Sequence, residues 1–361
     1  MCISVPVALI NHSCAPNAVV VFAEDAASGG GASRPGRSPM RVVALRPISP
    51  GEEVVTSYVD LSESRAKRQR TLREHYLFNC ACVLCQRGIQ ASGDTFWTDP
   101  REALRCGTPR CPGWVSVRQW ATLDLAPAPE ESVTSTACNR CGQRTDIKDP
   151  VALLALLRTA DALNARLARE MGAVAPRPET APPGDTASYE HVRSCIQQLI
   201  PQVAPSHTLL WALMHSAHVM AIERALVAEP HDAQRAAGYW EDAAQLVLLL
   251  CAGMQAPATP GDAHSALYPP GHPVRAVLLA TLGRLLVSGA PQASGRPAPL
   301  ADVNLPPERD ARLMLARQAL LQALDEATTG FGRDVNSAVR STAAAALADV
   351  DAERTAIKRA E

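Results

Sequence analysis

The stretch NHSCAPN at residues 11–17 is the basis of the fold prediction, because two later stretches contain residues that are expected to form one site with it. The first, GEEVVTSYVD at residues 51–60, is a turn followed by a β-branched strand that ends at a tyrosine. The second, YLFNCACVLC at residues 76–85, holds three cysteines in close succession. Thiolates spaced in this way favour zinc, and a tetrahedral zinc ion needs a fourth ligand from elsewhere in the chain.

The composition indicates a globular chain of two or three domains. The chain has 361 residues, of which 47% are hydrophobic, and its net charge is −1. This charge does not favour nucleic-acid or membrane partners, and no apolar run approaches the roughly 18 residues of a membrane helix. The first ten residues lack the features of a signal peptide and predict a buried strand or loop. Most of the eleven cysteines lie in close pairs, which favours metal binding over disulfides and a cytoplasmic or nuclear location, or both.

The first part of the chain predicts short strands followed by a charged helix. Residues 18–22 and 41–45 are β-branched runs, and the Gly- and Ser-rich residues 26–39 between them predict a hairpin insertion. A serine at position 62 or 64 is suited to cap a helix that runs to about residue 76. The basic residues of this helix predict a solvated face.

From about residue 149 the chain becomes rich in alanine and leucine with helical periodicity. Such helices cannot bury their apolar faces singly, so they are expected to stack as antiparallel hairpins, although no full tetratricopeptide (TPR) consensus is present. The predicted helices span residues 151–171, 186–199, 207–227, 231–254, 273–287, 308–329 and 335–358.

In their order and cysteine spacing, the three opening stretches resemble the second half of a SET methyltransferase domain with its post-SET zinc segment. More narrowly, they resemble the SET-and-MYND (SMYD) family. The stretches YPPGHPVR at 268–275 and FGRD at 331–334 are looser matches to the C-terminal domain of that family. The resemblance implies an S-adenosylmethionine-dependent protein-lysine N-methyltransferase that acts on the lysine side chain of a protein or peptide. It also implies an α+β chain in which a β-rich SET portion precedes a TPR-like helical domain.

The resemblance assigns roles to five residues of the site. Asn11 and His12 are expected to hold the amino-acid and adenosine portions of S-adenosylmethionine. Tyr58 is the catalytic candidate, whose hydroxyl orients the amine or the methyl group. Phe78 is expected beside the adenine, and Tyr76 at the lysine channel. An aromatic wall suits this chemistry because it attracts a methylated ammonium group through cation–π interactions.

Two zinc sites follow from the cysteines. The resemblance implies that Cys14 supplies the missing thiolate of the first site. A glycine at position 142 follows the last cysteine of the second site, as in a zinc knuckle whose turn needs a positive φ. The first set of ligands is Cys14, Cys80, Cys82 and Cys85, and the second set is Cys106, Cys111, Cys138 and Cys141.

We therefore divide the chain at 1–79 (C-terminal half of a SET domain), 80–148 (post-SET zinc site and a zinc-ribbon-like insertion) and 149–361 (TPR-like domain). No Gly-x-Gly precedes residue 11, so the N-terminal SET half and the MYND finger are expected to be missing. Three explanations for the missing half are open: an incomplete gene model, a second chain that completes the fold, and an evolutionary remnant. The alternative function is a non-catalytic, zinc-stabilised helical interaction module, and a zinc-dependent transcription adaptor is a weaker one.

Overall fold

The described part of the chain contains ten helices and eight short strands, which confirms the predicted α+β class. The computed structural model describes residues 5–22, 40–87, 99–117, 133–147, 149–172, 186–255, 266–288, 300, 304–332 and 337–360. The strands are β1 Asn11–His12, β2 Ala18–Phe22, β3 Met40–Ala44, β4 Val55–Thr56, β5 Leu104–Arg105, β6 Trp114–Val115, β7 Val133–Thr134 and β8 Asp146–Ile147. The helices are α1 Val5–Ala8, α2 Arg65–Tyr76, α3 Val83–Arg87, α4 Pro150–Gly172, α5 Thr186–Leu199, α6 Thr208–Ala228, α7 Ala233–Gln255, α8 Pro273–Ser288, α9 Arg309–Gly330 and α10 Ala338–Ala360.

Strand pairing brings the motif at residues 11–17 against β4, which ends two residues before Tyr58. Strand β1 pairs in parallel with β4, so that Asn11 lies opposite Val55 and His12 opposite Thr56. The β-branched strands β2 and β3 form the predicted antiparallel hairpin. The insertion predicted at residues 26–39 lies outside the described residues.

The prediction of a buried strand or loop at the start of the chain is wrong for the described residues. Val5–Ala8 is a single helical turn, and the side chains of Val5 and Leu9 are 70% and 77% exposed. A turn of four residues cannot bury an apolar face by itself, and only tertiary contacts decide whether such a run is covered.

Helix α2 begins where a serine cap was expected. The hydroxyl of Ser64 accepts a hydrogen bond from the backbone N–H of Lys67, which satisfies a free donor of the first turn. The helix ends at Leu77, whose positive φ of 62° reverses the chain toward the cysteines that follow. The prediction of a solvated basic face is wrong at one position, because Arg68 is completely buried.

Two small hairpins form the segment between α3 and α4. Strands β5 and β6 pair antiparallel, as do β7 and β8. Backbone hydrogen bonds from Thr136 to Ser116 and from Asn139 to Trp114 join the two hairpins. The pair is also attached to the helices, because the Arg105 guanidinium donates to the Ile200 carbonyl at 2.7 Å.

The helical prediction is confirmed to within three residues at every helix end from α4 to α10. Helix α6 packs on α7, α8 on α9, and α9 on α10, so helices adjacent in sequence are also neighbours in space. None of the helices in the described residues combines the length and the apolar character that a membrane span requires.

The described residues form two separate hydrophobic cores. The large one joins all the long helices to the hairpins around Cys106 and Cys138. The small one contains only two buried leucines, Leu72 and Leu84, together with Cys14, Cys80 and Cys85. The early part of the chain is therefore organised around its cysteines rather than around a large apolar core.

Candidate active site and metal centres

The aromatic side chains predicted at the active site converge. The ring of Tyr58 lies 5.2 Å from that of His12 and 4.9 Å from that of Tyr76, measured between centroids. The ring of Phe78 lies 5.9 Å from that of His12. These side chains come from β1, the end of β4 and the residues around the end of α2, so only the tertiary fold brings them together. Tyr76 is 46% exposed, which leaves this aromatic cluster open to solvent on one side.

The hydroxyl of Tyr58 is held by the backbone next to the motif. It hydrogen-bonds to the carbonyl oxygen of Ile10, and because a carbonyl only accepts, the hydroxyl is the donor. The lone pairs of the Tyr58 oxygen are then available as acceptors. The hydrogen bond to Ile10 therefore fixes the orientation of the Tyr58 hydroxyl, so that its oxygen can accept a hydrogen bond within the aromatic cluster.

His12 connects the aromatic cluster to the first group of cysteines. Its Nδ1 accepts the backbone N–H of Tyr58 at 3.0 Å. A neutral imidazole that accepts at Nδ1 carries its proton on Nε2, and Nε2 lies 3.3 Å from the sulfur of Cys14. His12 thus donates to the sulfur of Cys14, a candidate metal ligand, and at the same time positions the backbone of Tyr58. Orientation through such neighbouring hydrogen bonds is characteristic of metal centres.

Asn17 fastens the motif to β4, a role that the sequence analysis missed. Its buried side chain accepts the N–H of Val55 at 2.9 Å and donates to the Glu53 carbonyl at 2.8 Å. The side chain of Asn11, by contrast, is exposed and donates to the Glu53 carboxylate at 2.5 Å. The signal for this role in the sequence was an asparagine placed directly before strand β2.

The first four cysteines form one cluster. The sulfurs of Cys14, Cys80, Cys82 and Cys85 all lie within 4.8 Å of one another. The sulfur of Cys14 is 4.0 Å from that of Cys80 and 3.6 Å from that of Cys85. Four thiolates bound tetrahedrally at a zinc–sulfur distance of about 2.3 Å stand about 3.8 Å apart, so these positions fit the ion.

Hydrogen bonding within this cluster lowers the pKa of two of its thiols and raises the pKa of the other two, Cys14 and Cys85. The bond from Cys14 is the main cause that lowers the pKa of Cys82 to about 5, and it also lowers the pKa of Cys80 far below its ordinary value. A thiol must lose its proton to bind a metal, so the lowered pKa values of Cys80 and Cys82 agree with a ligand role. Cys14 and Cys85, whose pKa values are raised, would give up their protons to a metal ion as it binds.

The second set of cysteines also forms a cluster. Cys106 and Cys141 have their sulfurs 3.7 Å apart, as do Cys111 and Cys138. Backbone N–H groups of Thr108, Gly113 and Arg140 each lie 3.4 Å from a cysteine sulfur two residues earlier in the chain. Such donors stabilise thiolates, so this cluster too has the geometry and the hydrogen bonding of a four-sulfur zinc site.

Two glycines allow the second cluster to close. Gly142 has a φ of +71°, as predicted, and its N–H donates to the carbonyl of Cys138. A Cβ atom at Gly113 would lie 2.3 Å from the sulfur of Cys138. A larger residue at either position would strain the backbone or displace a ligand.

Comparison with known proteins identifies the class of the first part of the chain. Residues 2–59 match the SET domain family. This matched segment contains His12, Cys14 and Tyr58, whereas Tyr76, Phe78 and the cysteines from Cys80 onward lie beyond it.

The relatives are lysine methyltransferases. The chain is 35% identical over 109 residues to the histone-lysine N-methyltransferase ASHR1 of Arabidopsis thaliana, which covers 30% of this chain and 20% of the relative. It is 42% identical over 78 residues to the mouse protein-lysine N-trimethyltransferase SMYD5, covering 21% and 16% of the two chains. It is 40% identical over 79 residues to the human N-lysine methyltransferase SMYD2, covering 22% and 15%. The predicted resemblance to the SMYD family is thereby confirmed, and the matching segment spans a fifth or less of each of these relatives.

Proposed function

We propose that this chain carries part of the active site of an S-adenosylmethionine-dependent protein-lysine N-methyltransferase. The observation that carries the proposal is the clustering of Tyr58 and Phe78 around His12, with Tyr76 against Tyr58. His12 and Tyr58 lie within the segment that matches the SET domain. The SET match and the relatives named as lysine methyltransferases support this activity at the level of the family. The substrate is then the lysine side chain of a protein or peptide.

The arrangement suits methyl transfer to an amine. S-adenosylmethionine supplies a methyl group on a positively charged sulfur, so the protein must mainly align the amine and exclude water. The Tyr58 oxygen, whose proton is committed to the Ile10 carbonyl, is placed to accept a hydrogen bond from the lysine amine. The neighbouring Tyr76 ring adds an aromatic face for an ammonium group. In this proposal, Asn11 and His12 hold the cofactor and Phe78 contacts its adenine.

We also propose that each cysteine cluster holds one zinc ion. Four sulfurs in tetrahedral reach are a donor set that selects zinc among the common divalent ions of cells. The small core around the first cluster supports the proposal. Its two buried leucines provide about 3–6 kcal/mol of hydrophobic stabilisation, and Tyr58, Val59 and Phe78 pack against it only partly buried. Zinc at Cys14, Cys80, Cys82 and Cys85 would supply the remaining stability and would fix the loop that carries His12.

Calorimetric titration of S-adenosylmethionine into the purified zinc-loaded chain tests the proposed activity. We expect binding by the wild type, weaker binding by Asn11→Ala, and unchanged binding by Asn79→Ala, an exposed asparagine outside the cluster. Tyr58→Phe should bind the cofactor normally but transfer methyl groups from radiolabelled cofactor to peptide at least about 10-fold more slowly. Absence of binding by a folded chain with two bound zinc ions would contradict the proposal and favour a non-catalytic interaction module.

A further inference from the structure

Arg68 differs from the other basic residues of helix α2. Lys67, Arg70 and Arg73 are exposed, whereas Arg68 has no exposed surface. One guanidinium nitrogen, Nη1, donates to the backbone carbonyl of Glu63. Within the described part of the chain, the Nε and Nη2 atoms of Arg68 are buried and make no hydrogen bond. Burying donors of a cation without partners is costly, so a negative charge is expected to lie beside them.

The surroundings of Arg68 are those of the first cysteine cluster. Its neighbours on α2 hold the ligand loop by the backbone: Gln69 exchanges two hydrogen bonds with Cys80, and Arg65 donates to the carbonyl of Cys85 at 2.9 Å. The groups whose charges act on Arg68 are Asp99 and the sulfurs of Cys14 and Cys85. Arg68 is therefore buried on the helix whose neighbouring side chains, Arg65 and Gln69, hold the backbone of the ligand loop.

Asp99 does not take up the charge of Arg68 by itself. Its carboxylate already pairs with Arg101, accepting the backbone N–H at 3.0 Å and the guanidinium at 3.2 Å. The nearby carboxyl of Glu102 is not a competing anion, because burial raises its pKa to about 8 and keeps it protonated at neutral pH. The positive charge of Arg68 is therefore not neutralised by Asp99 or Glu102 and can compensate the negative charge of the first cysteine cluster.

We infer that Arg68 is the counterion of the Cys14–Cys80–Cys82–Cys85 centre, with its Nε and Nη2 groups directed at the thiolate sulfurs. The inference rests on the proposed zinc occupancy. Four thiolates around one divalent ion carry a net charge of about −2, and a buried cation neutralises half of it. Arg68 is thus a positioning residue for the metal centre and touches neither cofactor nor substrate. Removing such a partner of a metal ligand typically weakens metal affinity by about 10- to 100-fold.

The test compares zinc release from the full chain as the wild type, Arg68→Met, Arg68→Lys and the exposed control Arg70→Met. Each protein is mixed with a competing chelator, and released zinc is followed with a metallochromic dye. We expect Arg68→Met to lose one zinc ion about 10- to 100-fold more readily, while the zinc at the second cluster is retained. Arg68→Lys, which keeps the charge, should recover much of the loss, and Arg70→Met should behave as wild type.

Cobalt substitution gives a readout that a purely structural role would not change. A cation beside the sulfurs stabilises their electrons, so its removal should shift the thiolate-to-cobalt charge-transfer band of the first cluster to longer wavelength. An unshifted band together with wild-type zinc release in Arg68→Met would overturn the inference, as would equal losses in Arg68→Met and Arg68→Lys. If Arg68→Met does not fold, Arg68→Gln replaces it in the comparison with Arg68→Lys. A wild-type chain without zinc at the first cluster would instead refute the proposed occupancy.

Discussion

The clamp formed by Asn17 permits a quantitative prediction. In Asn17→Ala, the N–H of Val55 and the carbonyl of Glu53 both lose their partner. An unsatisfied buried group costs about 1–3 kcal/mol, and the lower end applies because both groups lie near the surface. We therefore expect β4 to open more easily by about 2 kcal/mol, which corresponds to about a 30-fold higher population of the open state.

Hydrogen–deuterium exchange of the peptide that contains the Val55 amide measures this opening directly. Asn11→Ala is the matched control, because it makes the same substitution in the same motif but removes only one exposed hydrogen bond to Glu53. That control should change the exchange rate by about twofold or less, since exposed contacts contribute little.

The prediction also extends to function. Tyr58 lies two residues beyond β4, so opening of the strand should displace its hydroxyl from the Ile10 carbonyl. The same exchange rate for Val55 in Asn17→Ala and Asn11→Ala would show that the amide of Asn17 does not hold the strand. The clamp would then have to be assigned to the backbone pairing of β1 and β4 alone.

Two further predictions concern buried charge. Arg101→Met should destabilise the chain by about 3–5 kcal/mol in urea unfolding, because it leaves a buried carboxylate unpaired and cuts three bonds to backbone carbonyls at residues 61, 266 and 267. The exposed control Arg284→Met should unfold as the wild type does, and a similar midpoint for both variants would refute the assignment. Burial lowers the pKa of His207, His218 and His272 to about 4, so below a pH of about 6.5 the unfolded chain binds protons first. Stability should therefore fall between about pH 6.5 and pH 4, and a constant urea midpoint between about pH 7.5 and pH 5.5, with zinc content monitored, would contradict this.

The sequence by itself determined the helical region and the grouping of three of the cysteines in the first cluster. The long helices have apolar residues at helical spacing bounded by proline-rich breakers, a local signal that survives in the folded chain. The close spacing of Cys80, Cys82 and Cys85 is also a local signal, because three cysteines within six consecutive residues can bind one metal ion. The assignment of Cys14 to the same site came from resemblance, because no local rule links it to cysteines 66 residues away.

Only the tertiary structure decided how residues 11–17 are held in place and which basic residue of helix α2 is buried. Helix α2 has a single buried leucine and no apolar stripe, so nothing in its pattern distinguishes the buried Arg68 from the exposed Arg70. The roles of Asn17 and of the His12 ring depend on strand β4, which arrives from about 40 residues later in the chain. Hydrogen bonds and charge pairs of this kind depend on distance in space, and sequence periodicity reports only which side of an element faces the core.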